Sequence, residues 1–454
     1  MSSMLNFSVS AAVEGTEAPP IPRAQAWGVE YLENPSYGEL LGLSQGVPGT
    51  APHESVLKAL SAVSADPLSA KYGPILGETA LREAYAEEIR VQYQLSPSCK
   101  GKGGVTGQDI GITTGCNMAF LTLIMALCPA GKSSVLIPLP SYFNQMMVFS
   151  LQSVKPIFVP CDTTNAFKPS LASAREYLSS PDRQKEEMKP KMICLVSPNN
   201  PTGSVYTHEE IKEWYDLAKE FKVALILDET YRDFVEDSNG DRGIPHRLFE
   251  EEDWRETLIS LGSFSKGYRI PGHRLGSIIA GPALLKHLTT ICDCMQICAP
   301  RPPQIALSTL LPSLRPDLTA SSKALSKRRH LFEDVVNSVE GWNVASIGGY
   351  FAYVSYPSDY SFASSTLGLK RKNLTSEDIA KILATKVGVV TLPGSFFMPP
   401  TSDDEAWEND VLKGGEILRE DKWLRFAVAN VGDDVILKLG PRLKEMNKLM
   451  GLGE

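Results

Sequence analysis

Residues 193–203 read ICLVSPNNPTG, residues 224–231 read ALILDETY and residues 257–266 read TLISLGSFSK, and these three stretches decide the fold. Each contains a short apolar run that suits a strand buried on both faces, and each ends on polar residues. In open α/β sheets, ligands bind at the carboxyl ends of the strands. If the three strands share one sheet, an amide, a carboxylate with a phenol, and a lysine converge on one crevice.

Strand and helix patterns alternate on both sides of these stretches. Further apolar runs lie at 135–138, 156–160 and 277–280, and helical patterns lie at 79–93, 118–127 and 209–221. This alternation predicts an α/β fold whose large domain has a mostly parallel sheet covered by helices. After Pro300 the pattern changes to a long helical stretch and separate strands, which predicts a second, smaller α+β domain.

The sequence also suggests where the parts of the chain begin and end. We expect a flexible N-terminal arm over 1–24, a segment over 25–60 that contributes to the small domain, a large ligand-binding domain over 61–315, and a small C-terminal domain over 316–454. The long helical stretch after Pro300 should be interrupted near Pro312 and Pro316, because proline removes a helix hydrogen bond. Polar loops are expected at 358–373 and 398–422.

The composition excludes several classes of partner. The chain has 454 residues, with 45 Lys and Arg against 53 Asp and Glu, so its formal net charge is −8 and gives no general attraction for nucleic acid or anionic lipid. The longest apolar run, residues 118–128, is shorter than the roughly 20 residues that a membrane span needs. No secretory signal pattern is visible, so we expect a cytoplasmic protein with reduced cysteines. Cys292, Cys294 and Cys298 lack a second ligand cluster at zinc spacing, so we expect no metal.

The residues at the strand ends suit the chemistry of pyridoxal 5′-phosphate. A lysine amine, here Lys266, forms a Schiff base with the coenzyme aldehyde. A carboxylate, here Asp228, keeps the ring nitrogen protonated so that the ring accepts electrons. A phosphate needs backbone N–H groups at the start of a helix together with an arginine. Residues 112–117, ITTGCN, directly precede an apolar helix and supply that helix start, and Arg274 supplies the arginine.

Taken together and in order, these motifs resemble the class I/II aminotransferase family, whose members are fold type I pyridoxal-phosphate-dependent enzymes. The resemblance rests on Asn200-Pro201-Thr202-Gly203, Asp228 with Tyr231, and Ser263-Phe264-Ser265-Lys266 followed by Arg274. It extends from about Gly46 to about Arg425, which is most of the chain. It implies a homodimer with active sites shared between two subunits.

The resemblance implies a role for each residue of a coenzyme site. Lys266 would form the internal aldimine and then carry a proton between the substrate α-carbon and the coenzyme, and Asp228 would pair with the ring nitrogen. Asn200 and Tyr231 would bond to the ring oxygen, and Tyr142 would stack on the ring. The groups that hold the phosphate would be the amides of Cys116 and Asn117, the side chains of Ser263 and Arg274, and Tyr72 from the other subunit.

The same resemblance implies a substrate site beside the coenzyme. Arg425, within an apolar strand pattern, would clamp the substrate α-carboxylate with two hydrogen bonds. Gly46 would close over that carboxylate with its backbone, Asn200 would contribute from the coenzyme side, and Phe351 would line the pocket.

Two questions stay open at this stage. An aminotransferase is the expected function, but a β- or γ-eliminating lyase, similar to aminocyclopropane carboxylate synthases or C–S lyases, would use the same site. A DNA-binding regulator on this fold is not expected, because residues 1–24 leave no room for a further domain. Family members that act on acidic substrates carry an extra arginine near Gln296, whereas here the arginine is displaced to Arg301, which weighs against aspartate as the preferred donor.

Overall fold

The architecture is taken from a computed structural model that describes residues 6–96, 104–181, 189–357, 374–399 and 404–452. The predicted loop 358–373 lies outside the described residues, as do residues 400–403 of the predicted loop 398–422.

The described strands fall into one large sheet, one small sheet and a separate pair. They are β1 (Leu41–Gly42), β2 (Ile110–Thr113), β3 (Ser134–Leu139), β4 (Lys155–Asp162), β5 (Lys168–Pro169), β6 (Pro190–Val196), β7 (Ala224–Asp228), β8 (Leu258–Ser263), β9 (Gly276–Ile279), β10 (Asn343–Gly348), β11 (Phe351–Ser355), β12 (Val389–Val390), β13 (Leu392–Pro393) and β14 (Trp423–Ala427).

Helices cover both sheets. They are α1 (Ala11–Glu14), α2 (Ile21–Leu32), α3 (Glu54–Ser64), α4 (Thr79–Gln92), α5 (Cys116–Leu127), α6 (Phe143–Leu151), α7 (Leu171–Ser179), α8 (His208–Phe221), α9 (Phe264–Gly267), α10 (Pro282–Gln296), α11 (Arg301–Ser308), α12 (Arg315–Asn337), α13 (Ser376–Ile382), α14 (Asp404–Asn409) and α15 (Asp433–Leu449). Among the described residues, no helix is long and apolar enough to cross a membrane.

The large sheet confirms the predicted α/β architecture. Its eight strands lie in the order β2-β9-β8-β7-β6-β3-β4-β5. The run from β8 to β4 is parallel throughout, whereas β9 is antiparallel to both of its neighbours and β5 is antiparallel to β4. Asp228 pairs with Val196 on one side and with Leu261 on the other, so the carboxyl ends of β6, β7 and β8 lie side by side.

Helix α8 shows how the sequence directs a helix onto this sheet. The Thr207 side chain accepts a hydrogen bond from the Glu210 N–H, and the Glu210 side chain accepts one from the Thr207 N–H, which together start the helix. Its buried residues include Ile211, Trp214 and Ala218, which recur every three or four positions and form one face. That face packs against β7, and nearly all residues of β6 and β7 are buried.

The smaller domain is an antiparallel sheet covered by helices, which confirms the predicted α+β unit. Its four strands lie in the order β10-β11-β14-β13. Phe332 of α12 packs against Phe426 of β14, with ring centroids 5.5 Å apart. The N-terminal segment joins this domain, because Leu41 of β1 pairs with Val389 of β12. The numerical domain boundaries stay a prediction.

Two predictions about segments that contain proline have different outcomes. The predicted interruption of the long helical stretch is confirmed, because Pro312 lies in a short 3-10 turn and Pro316 lies in the first turn of α12. The predicted arm over 1–24, by contrast, contains α1 and the start of α2. Pro22 lies at the start of α2, where proline is tolerated, and Trp27 is buried further along this helix.

Candidate active site

A cavity of about 270 Å³ lies at the carboxyl ends of β6, β7 and β8. Except for Tyr72, the side chains that the sequence assigned to a coenzyme site meet here, although they come from distant parts of the chain. The predicted residues that line it are Cys116, Asn117, Tyr142, Asn200, Asp228, Tyr231, Ser263, Lys266 and Arg274.

Lys266 lies in the short helix α9, directly after β8. The Ser263 hydroxyl accepts a hydrogen bond from the Ser265 N–H and so starts this helix. The Lys266 ammonium donates to the Gly46 carbonyl at 2.6 Å. Burial, together with the positive charges of Arg274 and Arg425, lowers the pKa of Lys266 to about 8. An amine with this pKa is partly unprotonated near neutral pH, so it can act as a nucleophile and as a base.

Asp228 is the buried carboxylate that lines this cavity. Its Oδ1 accepts from the Thr230 N–H at 3.1 Å and from the Thr230 hydroxyl at 2.7 Å. Its Oδ2 accepts from Gln145 Nε2 at 3.2 Å. Burial raises the pKa of Asp228 above its ordinary value, and the Thr230 bonds oppose that rise. A cationic ligand group beside Asp228 would stabilise the charged form.

Sequence reasoning missed Gln145 and Thr230, which fix the Asp228 carboxylate. Thr230 follows Asp228 by two residues, so the short spacing to the strand end is the signal that points to it. Gln145 comes three residues after Tyr142, in the first turn of α6, and this spacing puts the two side chains on the same face of the helix. Its contact with Asp228 depends on how α6 packs on the sheet, which the sequence does not show.

The start of α5 forms a cradle that could hold an anion. Gly115 has φ of +83°, which lets the chain turn directly into Cys116 and Asn117, the first residues of α5. A Cβ on Gly115 would lie 2.3 Å from Nη2 of Arg274, and a Cβ on Gly276 would lie 2.4 Å from the Gly115 carbonyl carbon. Glycine at both positions therefore brings the Arg274 guanidinium and the free N–H groups of a helix start to one place.

Arg425 is buried in β14 without a carboxylate partner among the described residues. Its Nη1 donates to Asn200 Oδ1 at 3.0 Å and its Nη2 donates to the Ser44 carbonyl. Its Nε has no hydrogen-bond partner in the described part of the chain. Burial lowers the pKa of Arg425 to about 10. A buried guanidinium in neutral surroundings is costly, so this position suits the carboxylate of a ligand.

Gly46 and Phe351 lie together next to this arginine. The Arg425 guanidinium stacks 4.5 Å from the centre of the Phe351 ring. A Cβ on Gly46 would lie 2.4 Å from Cζ of Phe351, so only glycine allows this close approach. Gly46 and Phe351 thus occupy the expected region, although neither side chain lines the cavity itself.

Tyr72 lies outside the cavity of its own chain. Its side chain is 79% exposed, and its predicted role depends on a second subunit. Arg301 lies close to the same segment, because it bonds to Glu78 Oε1 at 2.6 Å and to the carbonyls of Leu68 and Lys71 at 2.7 and 3.0 Å. Gln296 instead accepts the Thr114 N–H at 2.8 Å. Both side chains that the sequence weighed as candidates for substrate selection are therefore engaged within the chain.

Comparison with known proteins shows the family to which the chain belongs. Residues 38–438 match the family described as aminotransferase class I and II. Aromatic aminotransferase ISS1 of Arabidopsis thaliana is 27% identical over 384 residues, which cover 84% of this chain and 86% of that protein. Aspartate aminotransferase of Sulfurisphaera tokodaii is 25% identical over 360 residues, which cover 77% and 82%.

Solved structures show the same fold. The crystal structure of the aspartate aminotransferase from Rhizobium meliloti has a TM-score of 0.79 at 18% identity and covers 97% of this chain and 98% of that one. A structure of Thermus thermophilus aspartate aminotransferase has a TM-score of 0.75 at 20% identity. The chain belongs to the class I and II aminotransferase family. It is an aminotransferase, and it has the fold type I architecture.

The lowered pKa of Lys266 can be measured on the coenzyme-free protein. Formaldehyde with cyanoborohydride methylates only unprotonated amines, so methylation of Lys266, followed by mass spectrometry, should rise with pH and reach half its maximum near pH 8. Arg274→Gln removes a neighbouring positive charge and should move that midpoint to higher pH. A midpoint near the ordinary lysine value of 10.5 would contradict the burial of this amine.

Proposed function

We propose that this aminotransferase uses pyridoxal 5′-phosphate, with Lys266 as the coenzyme-binding and proton-transferring residue, to move an amino group from an amino acid to a 2-oxo acid. The observation that carries the proposal is the content of one cavity. It holds an amine with a lowered pKa, a buried carboxylate, and a helix start beside an arginine.

The residues present fit the coenzyme group by group. The start of α5 and Arg274 offer N–H donors and positive charge to a phosphate, and the Ser263 hydroxyl lies on the same cavity wall. The Asp228 carboxylate offers negative charge to a protonated ring nitrogen. Tyr142 offers an aromatic face, and burial raises its pKa to about 12, so its hydroxyl stays neutral and can donate a hydrogen bond.

Each protein group has a separate task in the reaction. When bound, the coenzyme supplies an electrophilic carbon and a ring that accepts the electrons of the bond broken at the substrate α-carbon. The Lys266 amine removes the proton from the α-carbon of the donor, and in the second half of the reaction it delivers a proton to the α-carbon of the new amino acid. A pKa close to neutral pH suits both steps. Asp228 holds a proton at the ring nitrogen, and Asn200 and Tyr231 provide hydrogen bonds at the ring oxygen.

Arg425 orients the substrate. Its planar guanidinium can bind both oxygens of an α-carboxylate, and its stacking on Phe351 restricts its rotation. Gly46 lies against the same aromatic ring, so the chain from Ser44 to Gly46 closes this side of the site. Because the carboxylate is fixed, the α-carbon is presented in one orientation, which is the chief contribution of positioning to the rate.

The first test of the function distinguishes transamination from elimination. The holoenzyme should convert an amino acid to its 2-oxo acid only in step with the amination of an added 2-oxo acid, without release of ammonia. We expect donors with neutral side chains to be preferred over aspartate, because Arg301 and Gln296 are engaged within the chain. Ammonia formed in equal amount with the oxo acid would indicate the lyase reaction instead.

Removal of the Lys266 amine should abolish the reaction. Lys266→Ala should purify without the visible absorbance that a lysine-bound coenzyme gives, and it should not transaminate. Lys219→Ala, which removes an exposed lysine of α8 outside the cavity, is the control and should keep the absorbance. Full activity in Lys266→Ala would show that another group performs the proton transfer.

Neutralising Asp228 should lower the rate without removing the coenzyme. Asp228→Asn keeps the size of the side chain, but a neutral amide cannot hold the ring nitrogen protonated. Turnover should fall by about 10²-fold or more, the range typical for loss of one preorganised electrostatic contact. Turnover equal to that of the unchanged enzyme would remove Asp228 from the mechanism.

We further propose a homodimer in which Tyr72 serves the partner's coenzyme. The support is an exposed apolar area around Tyr72. Leu68 is 59% exposed, Met295 is 39% exposed and Ile297 is 43% exposed. Arg301 and Cys298 bind the segments of this area to one another. Exposed apolar side chains that cluster in this way are typical of an interface, and a two-fold axis would create two equivalent sites.

Mixed dimers test the shared site. Tyr72→Ala and Lys266→Ala chains should each have little activity. A dimer that contains one chain of each kind has one site with both defects and one site with neither, so activity should partly return after co-refolding. Dimers of two Lys266→Ala chains are the control and should stay inactive. No recovery in confirmed mixed dimers, or an active monomer in sedimentation, would contradict the shared site.

A further inference from the structure

A strained turn follows α10 and separates it from α11. Ile297 has φ of 60° and ψ of −63°, and the Cys298 N–H donates to the Gln296 carbonyl at 2.6 Å. This is a γ-turn with positive φ at its centre, a conformation that is rare even for flexible residues and unfavourable for a β-branched one. Such strain persists only where the surrounding contacts determine the backbone.

The contacts before the turn reach the proposed phosphate cradle. Gln296 Oε1 accepts the Thr114 N–H at 2.8 Å, and its Nε2 donates to the Ile112 carbonyl at 3.4 Å. Thr114 is the central residue of the turn that leads into α5, since the Gly115 N–H donates to the Thr113 carbonyl at 2.8 Å. Gln296 therefore holds the Thr113–Thr114 peptide group, which lies one peptide before the bond that leads into Gly115.

The contact after the turn reaches the segment that carries Tyr72. The Gly73 N–H donates to Sγ of Cys298 at 3.4 Å. Within its own chain Ile297 is 43% exposed, so packing of its side chain against that chain does not account for the strained backbone. The hydrogen bonds of its two neighbours do, because they hold Gln296 on one side and Cys298 on the other.

We infer that Gln296 is a positioning residue for the phosphate-binding turn over residues 113–117. It holds Thr114, so the N–H groups of Cys116 and Asn117 keep their direction in the absence of a ligand. It does not touch the cavity, and its task is separate from the choice of substrate side chain. The inference rests on the proposed coenzyme and assigns the residue that preorganises its phosphate site.

The test compares the coenzyme with its analogue that lacks the phosphate. Gln296→Leu removes both amide groups and keeps the approximate size of the side chain. Titration of the coenzyme-free full-length protein should show roughly 3- to 10-fold weaker binding of pyridoxal 5′-phosphate, the worth of about one hydrogen bond. Binding of pyridoxal should stay unchanged, and inorganic phosphate should compete less well with pyridoxal 5′-phosphate than in the unchanged protein.

Two further variants make the test decisive. Gln296→Met keeps the side-chain length without the amide and should weaken binding in the same way. It replaces Gln296→Leu in the test if that variant fails to fold. Asp293→Asn, three residues earlier and exposed on the same helix, should bind both compounds as the unchanged protein does. Equal weakening for pyridoxal and its phosphate, or no weakening for either, would overturn the role of Gln296. Failure of the unchanged protein to bind either compound would instead overturn the proposed coenzyme.

Discussion

The parallel register of β6, β7 and β8 is the constraint on which the site depends. Asp228 pairs with Val196 and Leu261, so its side chain emerges at the strand ends where Asn200 and Lys266 also follow. Side chains alternate between the two faces of a strand, so a shift of one residue would exchange Asp228 with the next carboxylate, Glu229. The sheet therefore decides which of two adjacent acids belongs to the cavity.

Glu229, the adjacent carboxylate on the other face, is held by hydrogen bonds within the protein. It accepts from the Tyr93 hydroxyl at 2.6 Å and from the Ser260 hydroxyl. Burial opposes its ionisation, but the neighbouring His246 and Arg232 and the hydrogen bond from Ser260 lower the pKa of Glu229 to about 2. A fully satisfied carboxylate of this kind is structural. Within the described part of the chain, Asp228 accepts hydrogen bonds from Thr230, Gln145 and a thiol alone. Its pKa is raised, and it keeps the capacity to interact with a ligand cation.

The sequence predicts the residues that follow strands much better than those that meet through tertiary packing. Lys266 and Asp228 were recognisable because each directly follows an apolar run, and the sheet order then brings them together. Gln145 could not be found, because its contact with Asp228 requires the position of α6. Gln296 could be placed along the chain but not in space, so its bonds to Thr114 and Ile112 were not foreseen. The role of Tyr72 stays a prediction, since it requires a second subunit.

The central claim is that Lys266 is the lysine that binds the coenzyme, and reduction with borohydride tests it most directly. The protein is loaded with pyridoxal 5′-phosphate, reduced, digested and mapped by mass spectrometry. We expect one phosphopyridoxyl group per chain, on the peptide that contains Lys266, and its loss when the protein is first saturated with an amino acid donor. A modified lysine at any other position, or a fully unmodified Lys266 in protein that retains transaminase activity, would contradict the claim.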